Sequence, residues 1–203
     1  MNIFLFDIDG TLISSGGAGK AALEAALASE FGLLELVGPV EFSGRTDRAI
    51  IRDLFIMHGI EETPEHLRRV VASYLSHLPT CLKQCTGKVL PGIAALLETL
   101  GECDRSVVGL LTGNIRAGAE AKLGHFNLFH HFAFGGFGDH HFCRNDVARD
   151  ALAEVHRHMN GSFNPNRVWV IGDTPLDILC ARCIGARVAA VATGWHSLEE
   201  LAA

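Results

Sequence analysis

Short apolar runs alternate with amphipathic stretches along the second half of the chain. A near-continuous apolar run over residues 3–8 is typical of a strand buried on both faces of a parallel sheet. Later runs predict four more strands, at 107–111, 132–134, 168–171 and 188–191. Helical patterns separate the later runs, at 116–123, 147–158 and 175–184. From about residue 106 onward, this alternation predicts consecutive right-handed βαβ units.

The stretch between residues 14 and 90 has a different pattern. It predicts three helices, at 19–30, 48–58 and 65–78, and contains no convincing strand. Thr63 and Pro64 are typical of an N-cap followed by proline in the first helical turn. A further helix over 92–100 would lead back into the sheet. The first strand is therefore predicted to be followed by a long helical insertion before the sheet resumes.

Composition and charge narrow the class of protein. The chain has 203 residues, of which 48% are hydrophobic and 20% charged, so it can bury a core and is not wholly disordered. The net charge of −6, without a basic block, argues against a nucleic acid or an anionic membrane as partner. No apolar run approaches the roughly 20 residues that cross a bilayer. We expect a cytoplasmic protein whose six cysteines are free thiols.

The first candidate for chemistry directly follows the first predicted strand. Asp7 and Asp9 are two residues apart, so in extended chain both side chains could face one site at the carboxyl edge of the sheet. Two carboxylates this close require a cation or a proton. Hard divalent cations such as Mg²⁺ prefer oxygen ligands and retain waters for a phosphate. The alternative is a strand end with two solvated aspartates.

Two later strand ends carry further polar groups. Thr112, Gly113 and Asn114 follow one strand and could form a hydrogen-bonding cradle for phosphate oxygens, although taken alone the motif favours a turn that caps the next helix. Asp173 and Asp177 follow a later strand. Because the carboxyl ends of parallel strands share one edge, these groups would meet the first aspartate pair. The sequence thus favours a metal–phosphate site at that edge.

The order of these motifs resembles that of the haloacid dehalogenase-like hydrolase superfamily over nearly the whole chain. The motifs are Asp7-x-Asp9-Gly10-Thr11, Thr112-Gly113-Asn114 and Gly172-Asp173-Thr174-Pro175-x-Asp177. The helical insertion is similar to the cap of the phosphoglycolate phosphatase and β-phosphoglucomutase branch. The resemblance implies an α/β fold, with a Rossmann-like doubly wound parallel sheet and an inserted all-helical cap. The core would comprise residues 1–14 and 88–203, and the cap residues 15–87.

The resemblance also implies roles for individual residues. Asp7 would be the nucleophile that forms an aspartyl-phosphate, and Asp9 would act first as general acid and then as general base. Thr112 would hold a phosphoryl oxygen, with Gly113 and Asn114 assisting in substrate binding.

The same resemblance implies a metal site. Asp7, the carbonyl oxygen of Asp9 and Asp173 would coordinate Mg²⁺, or Mn²⁺ in its place. Asp177 would orient the metal's surroundings without binding it directly.

The sequence departs from the family at its third motif. The family usually has a lysine followed by proline there, and this chain has no lysine after Lys122. Arg144, just before a predicted helix, is the candidate replacement, because arginine can also bridge a phosphate and the nucleophile. Arg149, five residues farther along, is the alternative.

Arg45 is the candidate for substrate specificity. It lies in a turn between two predicted cap helices, over residues 41–47, which resembles the cap loop that reaches over the active site in the phosphoglycolate phosphatase branch. Arg45 could there bind a substrate carboxylate or a second anionic group. The alternative is an ordinary helix N-cap with Arg45 solvated.

The resemblance implies a Mg²⁺-dependent phosphatase, acting as a monomer or homodimer on a small phosphorylated metabolite such as phosphoglycolate. A phosphosugar mutase on the same fold is the first alternative, although the region near Arg45 has few of the basic groups that a bisphosphate requires. The dehalogenase reaction is disfavoured because dehalogenases use no general acid at the position of Asp9. A binding module without catalysis is a further alternative that intact Asp7, Asp9, Thr112 and Asp173 disfavour.

Overall fold

The structure is a computed structural model, and it describes residues 1–35 and 40–203. These residues form seven strands: β1 (Asn2–Phe6), β2 (Ile13–Ser14), β3 (Lys88–Val89), β4 (Ser106–Leu111), β5 (Gly135–Gly136), β6 (Val168–Gly172) and β7 (Arg187–Ala190). They also form eight α-helices: α1 (Ala18–Phe31), α2 (Asp47–Met57), α3 (Pro64–Gln84), α4 (Ile93–Glu102), α5 (Arg116–His125), α6 (Arg144–His158), α7 (Pro175–Cys183) and α8 (Leu198–Ala202). Short 3₁₀ helices span Phe129–His131 and Pro165–Arg167.

A five-stranded parallel sheet lies at the centre, in the order β5-β4-β1-β6-β7. Alternate residues of β1 pack on opposite faces, because side chains alternate along a strand. Leu5 packs in a cluster with α6 and α7, and Phe6 packs in a cluster with α4 and α5. Helices therefore cover both faces of the sheet, which confirms the predicted α/β class with a doubly wound parallel sheet.

Three helices, α1 to α3, lie between β2 and β3 and share an apolar cluster of their own. Thr63 accepts a hydrogen bond from the His66 amide and caps α3, whose first residue is Pro64, as predicted. The predicted cap boundaries, residues 15–87, bracket these helices and stay a prediction. That range includes residues 36–39, which lie outside the described part of the chain.

Two strand predictions were wrong. The stretch from 14 to 90 was expected to lack strands, but β2 and β3 pair antiparallel at its two ends, with Ile13 opposite Val89. The strand expected over 132–134 lies instead at β5, where Leu110 is opposite Gly135. Glycine is depleted in strands, but here its missing side chain allows close packing. A β-carbon at Gly136 would crowd both the backbone and a side chain of α6.

All six cysteines lie within the described residues and are free thiols. Among the described residues, no helix combines the length and the apolar character that crossing a bilayer requires.

Candidate active site

Asp7 lies directly after β1, at the edge of the sheet where the neighbouring strands β4 and β6 also end. The strand register sets this position, because Phe6 is opposite Leu110 of β4 and Ile171 of β6. The Asp7 amide donates a hydrogen bond of 2.9 Å to the Ile171 carbonyl, which extends the pairing by one residue. The Asp7 side chain is buried. Its carboxylate thus lies at the carboxyl edge, where open α/β sheets bind ligands.

Arg144, the first residue of α6, is the cation beside Asp7. Its Nη2 lies 2.8 Å from Asp7 Oδ1 and 2.6 Å from Asp177 Oδ1, and its Nη1 donates to the Gly44 carbonyl at 3.0 Å. Burial alone would lower the pKa of Arg144, but the charges of Asp177 and Asp7 raise it. The buried Nε has no hydrogen-bond partner among the described residues.

Arg149, the alternative basic residue, points elsewhere. It follows Arg144 by five helical positions, which turns its side chain by about 140° around the helix axis. It pairs with Asp146 instead, and its side chain is 61% exposed. The structure therefore brings Arg144, and not Arg149, to Asp7.

Two further carboxylates follow β6. Asp173 comes directly after the strand and accepts a hydrogen bond of 3.1 Å from the Thr11 hydroxyl. Asp177 lies in the first turn of α7, where its Oδ2 accepts from the Thr174 amide at 3.0 Å and from the Thr174 hydroxyl at 2.7 Å. One oxygen each of Asp7, Asp173 and Asp177 lies within 4.8 Å of the others. The three buried carboxylates thus form one cluster.

Two glycines enclose the Asp173 carboxylate. A β-carbon at Gly10 or at Gly194 would overlap Asp173 Oδ2, so no larger residue fits at either position without moving it. Gly10 also has a φ of +84°, a conformation that side chains disfavour. The Thr193 hydroxyl donates to the Gly10 carbonyl at 2.6 Å and joins the two glycine segments. Close backbone approach therefore fixes where Asp173 lies.

The cluster holds excess negative charge when it is ionised. Burial raises the pKa of Asp7 to about 6, with Arg144 acting in the opposite sense and the charges of Asp177 and Asp9 adding to the rise. Burial, with the charges of Asp7 and Asp177, raises the pKa of Asp173 to about 7. Such a set of hard oxygen donors fits a divalent cation such as Mg²⁺.

Asp9 lies close to Asp7 but has different partners. Its Oδ1 accepts a hydrogen bond of 2.8 Å from the Ser15 hydroxyl. Its Oδ2 accepts from Asn114 Nδ2 at 3.1 Å and lies 2.6 Å from Lys122 Nζ. Burial acts to raise the pKa of Asp9, but the Lys122 ammonium and these hydrogen bonds bring it below its usual value. The two carboxylates predicted to share one site therefore pair with separate cations.

Thr112 and Asn114 lie at the end of β4, facing the aspartates. Asn114 Nδ2 donates to Thr112 Oγ1 at 2.8 Å, and the Asn114 amide N–H donates to the same oxygen at 3.3 Å. Thr112 Oγ1 accepts in both contacts, so neither of them uses its own proton. Gly113 packs against the chain of the 41–47 turn, because a β-carbon there would overlap the Arg45 carbonyl. This close contact favours glycine at position 113, independently of any role in substrate binding.

Arg45, the predicted specificity residue, is paired within its own helical region. Its Nη2 lies 2.6 Å from Asp53 Oδ2, and its Nη1 donates to the Glu41 carbonyl at 3.4 Å. The Arg45 side chain is 24% exposed. It is therefore neither fully solvated nor in contact with the carboxylate cluster, and a substrate anion would compete with Asp53 for it.

The backbone of the same turn bonds to the sheet edge. The Asp47 amide donates to the Gly113 carbonyl at 2.8 Å, and Asp47 Oδ2 accepts from the Ile115 amide at 2.9 Å. Burial raises the pKa of Asp47 to about 6. These two bonds hold the start of α2 against the segment that carries Thr112 and Asn114.

The loop before α6 also contacts the helical region. The Phe142 ring lies 5.0 Å from the Arg48 guanidinium carbon and 4.2 Å from that of Arg52, both in α2. The Thr46 hydroxyl donates to the Phe142 carbonyl at 3.4 Å. Because Phe142 comes two residues before Arg144, the contact with α2 and the cation beside Asp7 belong to one short segment.

Ser15, Lys122 and Gly194 are among the site residues that the sequence did not predict. Lys122 lies among buried residues of α5, and a lysine on the otherwise apolar face of a predicted helix is a signal that could have found it. Gly194 offers no such signal, because its position matters only through the approach of Asp173, 21 residues earlier in the chain.

Comparison with known proteins identifies what the chain is similar to. The sequence model of the family described as "Haloacid dehalogenase-like hydrolase" matches residues 4–191. A search of curated proteins found no match.

Several solved structures share the fold. A hydrolase from Pseudomonas syringae is 23% identical, with a TM-score of 0.74 over 100% of this chain and 90% of that one. A predicted phosphoglycolate phosphatase from Haemophilus somnus 129pt is 16% identical, with a TM-score of 0.72 over 96% and 87%. CbbY from Rhodobacter sphaeroides, solved in complex with phosphate, is 18% identical, with a TM-score of 0.66 over 97% and 90%. At these identities, the likeness establishes the fold.

Proposed function

The chain belongs to the haloacid dehalogenase-like hydrolase family, and on that premise we propose that it is a Mg²⁺-dependent phosphatase of a small phosphorylated metabolite. The observation that carries the proposal is the buried Asp7 carboxylate, 2.8 Å from Arg144 Nη2 and clustered with Asp173 and Asp177. Phosphoryl transfer requires an in-line nucleophile surrounded by positive charge and hydrogen-bond donors. The sheet edge supplies all three kinds of group.

Asp7 is the nucleophile in this proposal. One of its carboxylate oxygens attacks phosphorus, the bond to the leaving oxygen breaks, and an aspartyl-phosphate forms. Arg144 lies beside Asp7, so its guanidinium places positive charge next to the transferred phosphoryl group while its Nη2 holds the nucleophile. The Thr112 hydroxyl donates to a phosphoryl oxygen.

Asp9 moves the protons. In its protonated form its carboxyl gives a proton to the departing oxygen, and the resulting carboxylate, which is the form that Lys122 favours, takes a proton from the water that attacks the aspartyl-phosphate. This second step releases inorganic phosphate and restores both aspartates. Asp9 suits the role because it lies two residues from the nucleophile but bonds to Ser15, Asn114 and Lys122 instead of Arg144.

The residues present fit a magnesium ion. Asp7 and Asp173, with the Asp9 carbonyl oxygen, are the groups that would hold it, and the Gly10 and Gly194 backbones leave room around Asp173. Both oxygens of Asp177 already accept hydrogen bonds from Thr174 or Arg144. Asp177 would therefore orient the groups around the ion and would not bind it directly. When bound, Mg²⁺ would neutralise charge on the phosphoryl group and the carboxylates.

The substrate class proposed is a phosphoglycolate-like metabolite, with the chain as a cytoplasmic monomer or homodimer. The 41–47 turn supports a small substrate, because Gly44 accepts a hydrogen bond from Arg144 and its neighbours pack on Gly113. Arg45 would bind a substrate carboxylate in exchange for Asp53.

The test is phosphate release from a panel that includes phosphoglycolate, sugar phosphates and p-nitrophenyl phosphate, each with Mg²⁺ and with EDTA. We expect release that depends on Mg²⁺ from at least one member. Conversion of a sugar phosphate to its isomer without net phosphate release would favour the mutase. A folded protein that releases nothing and binds no Mg²⁺ would contradict the proposal.

Asp7→Asn is the matched variant for this panel. The amide keeps the size of the side chain but is not a nucleophile, so turnover should fall by about 10⁴-fold or more while the fold is retained. Circular dichroism and thermal unfolding check the fold. Asp146→Asn, at an exposed position of α6, should keep the wild-type rate. Wild-type turnover by Asp7→Asn would contradict the assignment of the nucleophile.

A further inference from the structure

Lys122 is a buried cation that the proposed mechanism does not itself use. Its side chain is 7% exposed, and its Nζ lies 2.6 Å from Asp9 Oδ2 and 2.6 Å from Asn114 Oδ1. Burying an ammonium is costly unless it is paired and hydrogen-bonded. Both contacts are short, so the ammonium is held at one place between Asp9 and Asn114.

The contacts of Lys122 also determine how the Asn114 amide is turned. An ammonium only donates hydrogen bonds, so the Asn114 oxygen must face Lys122 and its nitrogen must face away. That nitrogen then donates to Asp9 Oδ2 at 3.1 Å and to Thr112 Oγ1 at 2.8 Å. Lys122 therefore holds Asp9 Oδ2 directly and Thr112 Oγ1 through Asn114.

Each of the two neighbouring carboxylates, Asp7 and Asp9, is thus paired with a cation of its own. Arg144 lies beside Asp7, whereas Lys122 lies beside Asp9 and belongs to α5, which packs on the opposite face of the sheet from α6. Lys122 is the one cation among the described contacts of Asp9.

We propose that Lys122 is a positioning residue, which fixes the Asp9 carboxylate and the Asn114 amide for the proton transfers of the hydrolase reaction. This inference rests on the proposed phosphatase function. Lys122 acts through Asp9 and touches neither the phosphoryl group nor the nucleophile.

The packing around Lys122 leaves space for its ammonium group. A β-carbon at Gly19 of α1 would lie 3.2 Å from Lys122 Nζ, closer than most side-chain contacts, so glycine there leaves room for the ammonium. The alternative is that Lys122 only joins α5 to α1 and stabilises the fold. The two roles differ in whether the effect of removing Lys122 depends on Asp9.

A double-mutant cycle separates these roles. Lys122→Met removes the charge at similar length, and it is made both in the wild-type protein and together with Asp9→Asn. The readout is kcat with p-nitrophenyl phosphate and Mg²⁺, whose leaving group departs without a proton, so that the Asp9→Asn protein lacks Asp9 only in the step in which water attacks the aspartyl-phosphate. Lys83→Met, at an exposed position of α3, is the matched control.

If Lys122 acts through Asp9, kcat falls by about 30-fold when Asp9 is present and by less than about threefold in the Asp9→Asn protein. KM should change little in either case, and Lys122→Arg should recover part of the loss because it keeps a charged donor. Lys83→Met should match the wild type. Should Lys122→Met fail to fold, Lys122→Gln replaces it, with the same expectations.

An equal loss in both backgrounds would overturn the inference, because a merely structural lysine lowers both rates alike. So would an unchanged kcat in Lys122→Met. No release by the wild-type protein from any substrate would instead overturn the proposed function, and the inference with it. The wild-type rate therefore distinguishes the two failures.

Discussion

The Asp173 carboxylate shows how backbone approach, rather than a charged partner, can shape an acidic site. Gly10 and Gly194 come from opposite ends of the chain, and a β-carbon at either would overlap Asp173 Oδ2. The Thr11 hydroxyl donates to the other oxygen, Oδ1. One oxygen is thus fixed by a hydrogen bond, while the other lies between two glycines with no side chain to cover it.

Gly194→Ala should therefore impair metal binding without disturbing the fold. The added methyl overlaps Asp173 Oδ2, so the carboxylate must turn away, and we expect the apparent affinity for Mg²⁺ to fall by about tenfold or more. Titration of activity with Mg²⁺ measures this. Gly101→Ala, where a β-carbon meets nothing within 4 Å, is the control and should match the wild type. An unchanged Mg²⁺ dependence in Gly194→Ala would contradict the argument.

The sequence predicted which residues gather at the sheet edge, because parallel strands bring their carboxyl ends together. Asp7, Thr112 and Asp173 each directly follow a strand, and the structure brings them to one edge. Arg144 was predicted from its place at a helix start, which the structure bears out as α6. Lys122 could not be predicted this way, because it reaches Asp9 from the last turn of a helix and not from a strand end.

The short loop between β5 and α6 joins the helical region to the sheet edge. Phe142 packs against two arginines of α2, and its carbonyl accepts a hydrogen bond from Thr46, the N-cap of that helix. The Phe142 side chain stays 39% exposed, so the aromatic–guanidinium contacts, and not burial alone, hold it there. α2 is thereby tied to the segment that places Arg144 beside Asp7.

Phe142→Ala should lower the free energy of unfolding by about 1 to 2 kcal/mol, because it removes two cation–π contacts and part of the apolar packing of the loop. Urea unfolding measures the change. Trp195→Ala, at a position 91% exposed, is the control and should change the free energy by less than about 0.5 kcal/mol. Effects of Phe142→Ala and Arg52→Met that simply add in the double variant would contradict a direct contact between the two.

The strand predictions failed where the strands are shortest. β2, β3 and β5 have two residues each, too few for a period of two to appear in the sequence. β5 consists of glycines, and the apolar run before it, with Phe132 and Phe134, carried the hydrophobic signal instead. The long helices and the buried strands β1, β4 and β6 were predicted within a few residues, because each has several turns or a continuous apolar run.

At the scale of the whole molecule, the charge at the sheet edge makes stability depend on pH. Asp7 and Asp173 have pKa values raised to about 6 and about 7, above the usual value of 3.8. In the metal-free protein, both carboxyls therefore contribute stability that is fully present below about pH 4. That stability is lost as the pH rises through 6 and 7, because burial disfavours the ionised carboxylates, which also repel each other and Asp177.

Added Mg²⁺ should reverse this loss, since it binds the ionised carboxylates and must displace their protons at low pH. We expect the rise in melting temperature with Mg²⁺ over EDTA to be small at pH 5 and to correspond to about 2 kcal/mol at pH 8. Asp173→Asn removes one ligand and one buried charge, so in EDTA at pH 8 it should melt above the wild type while losing most of its response to Mg²⁺. A Mg²⁺ effect of the same size at pH 5 and pH 8 would show that these two carboxyls do not hold the ion.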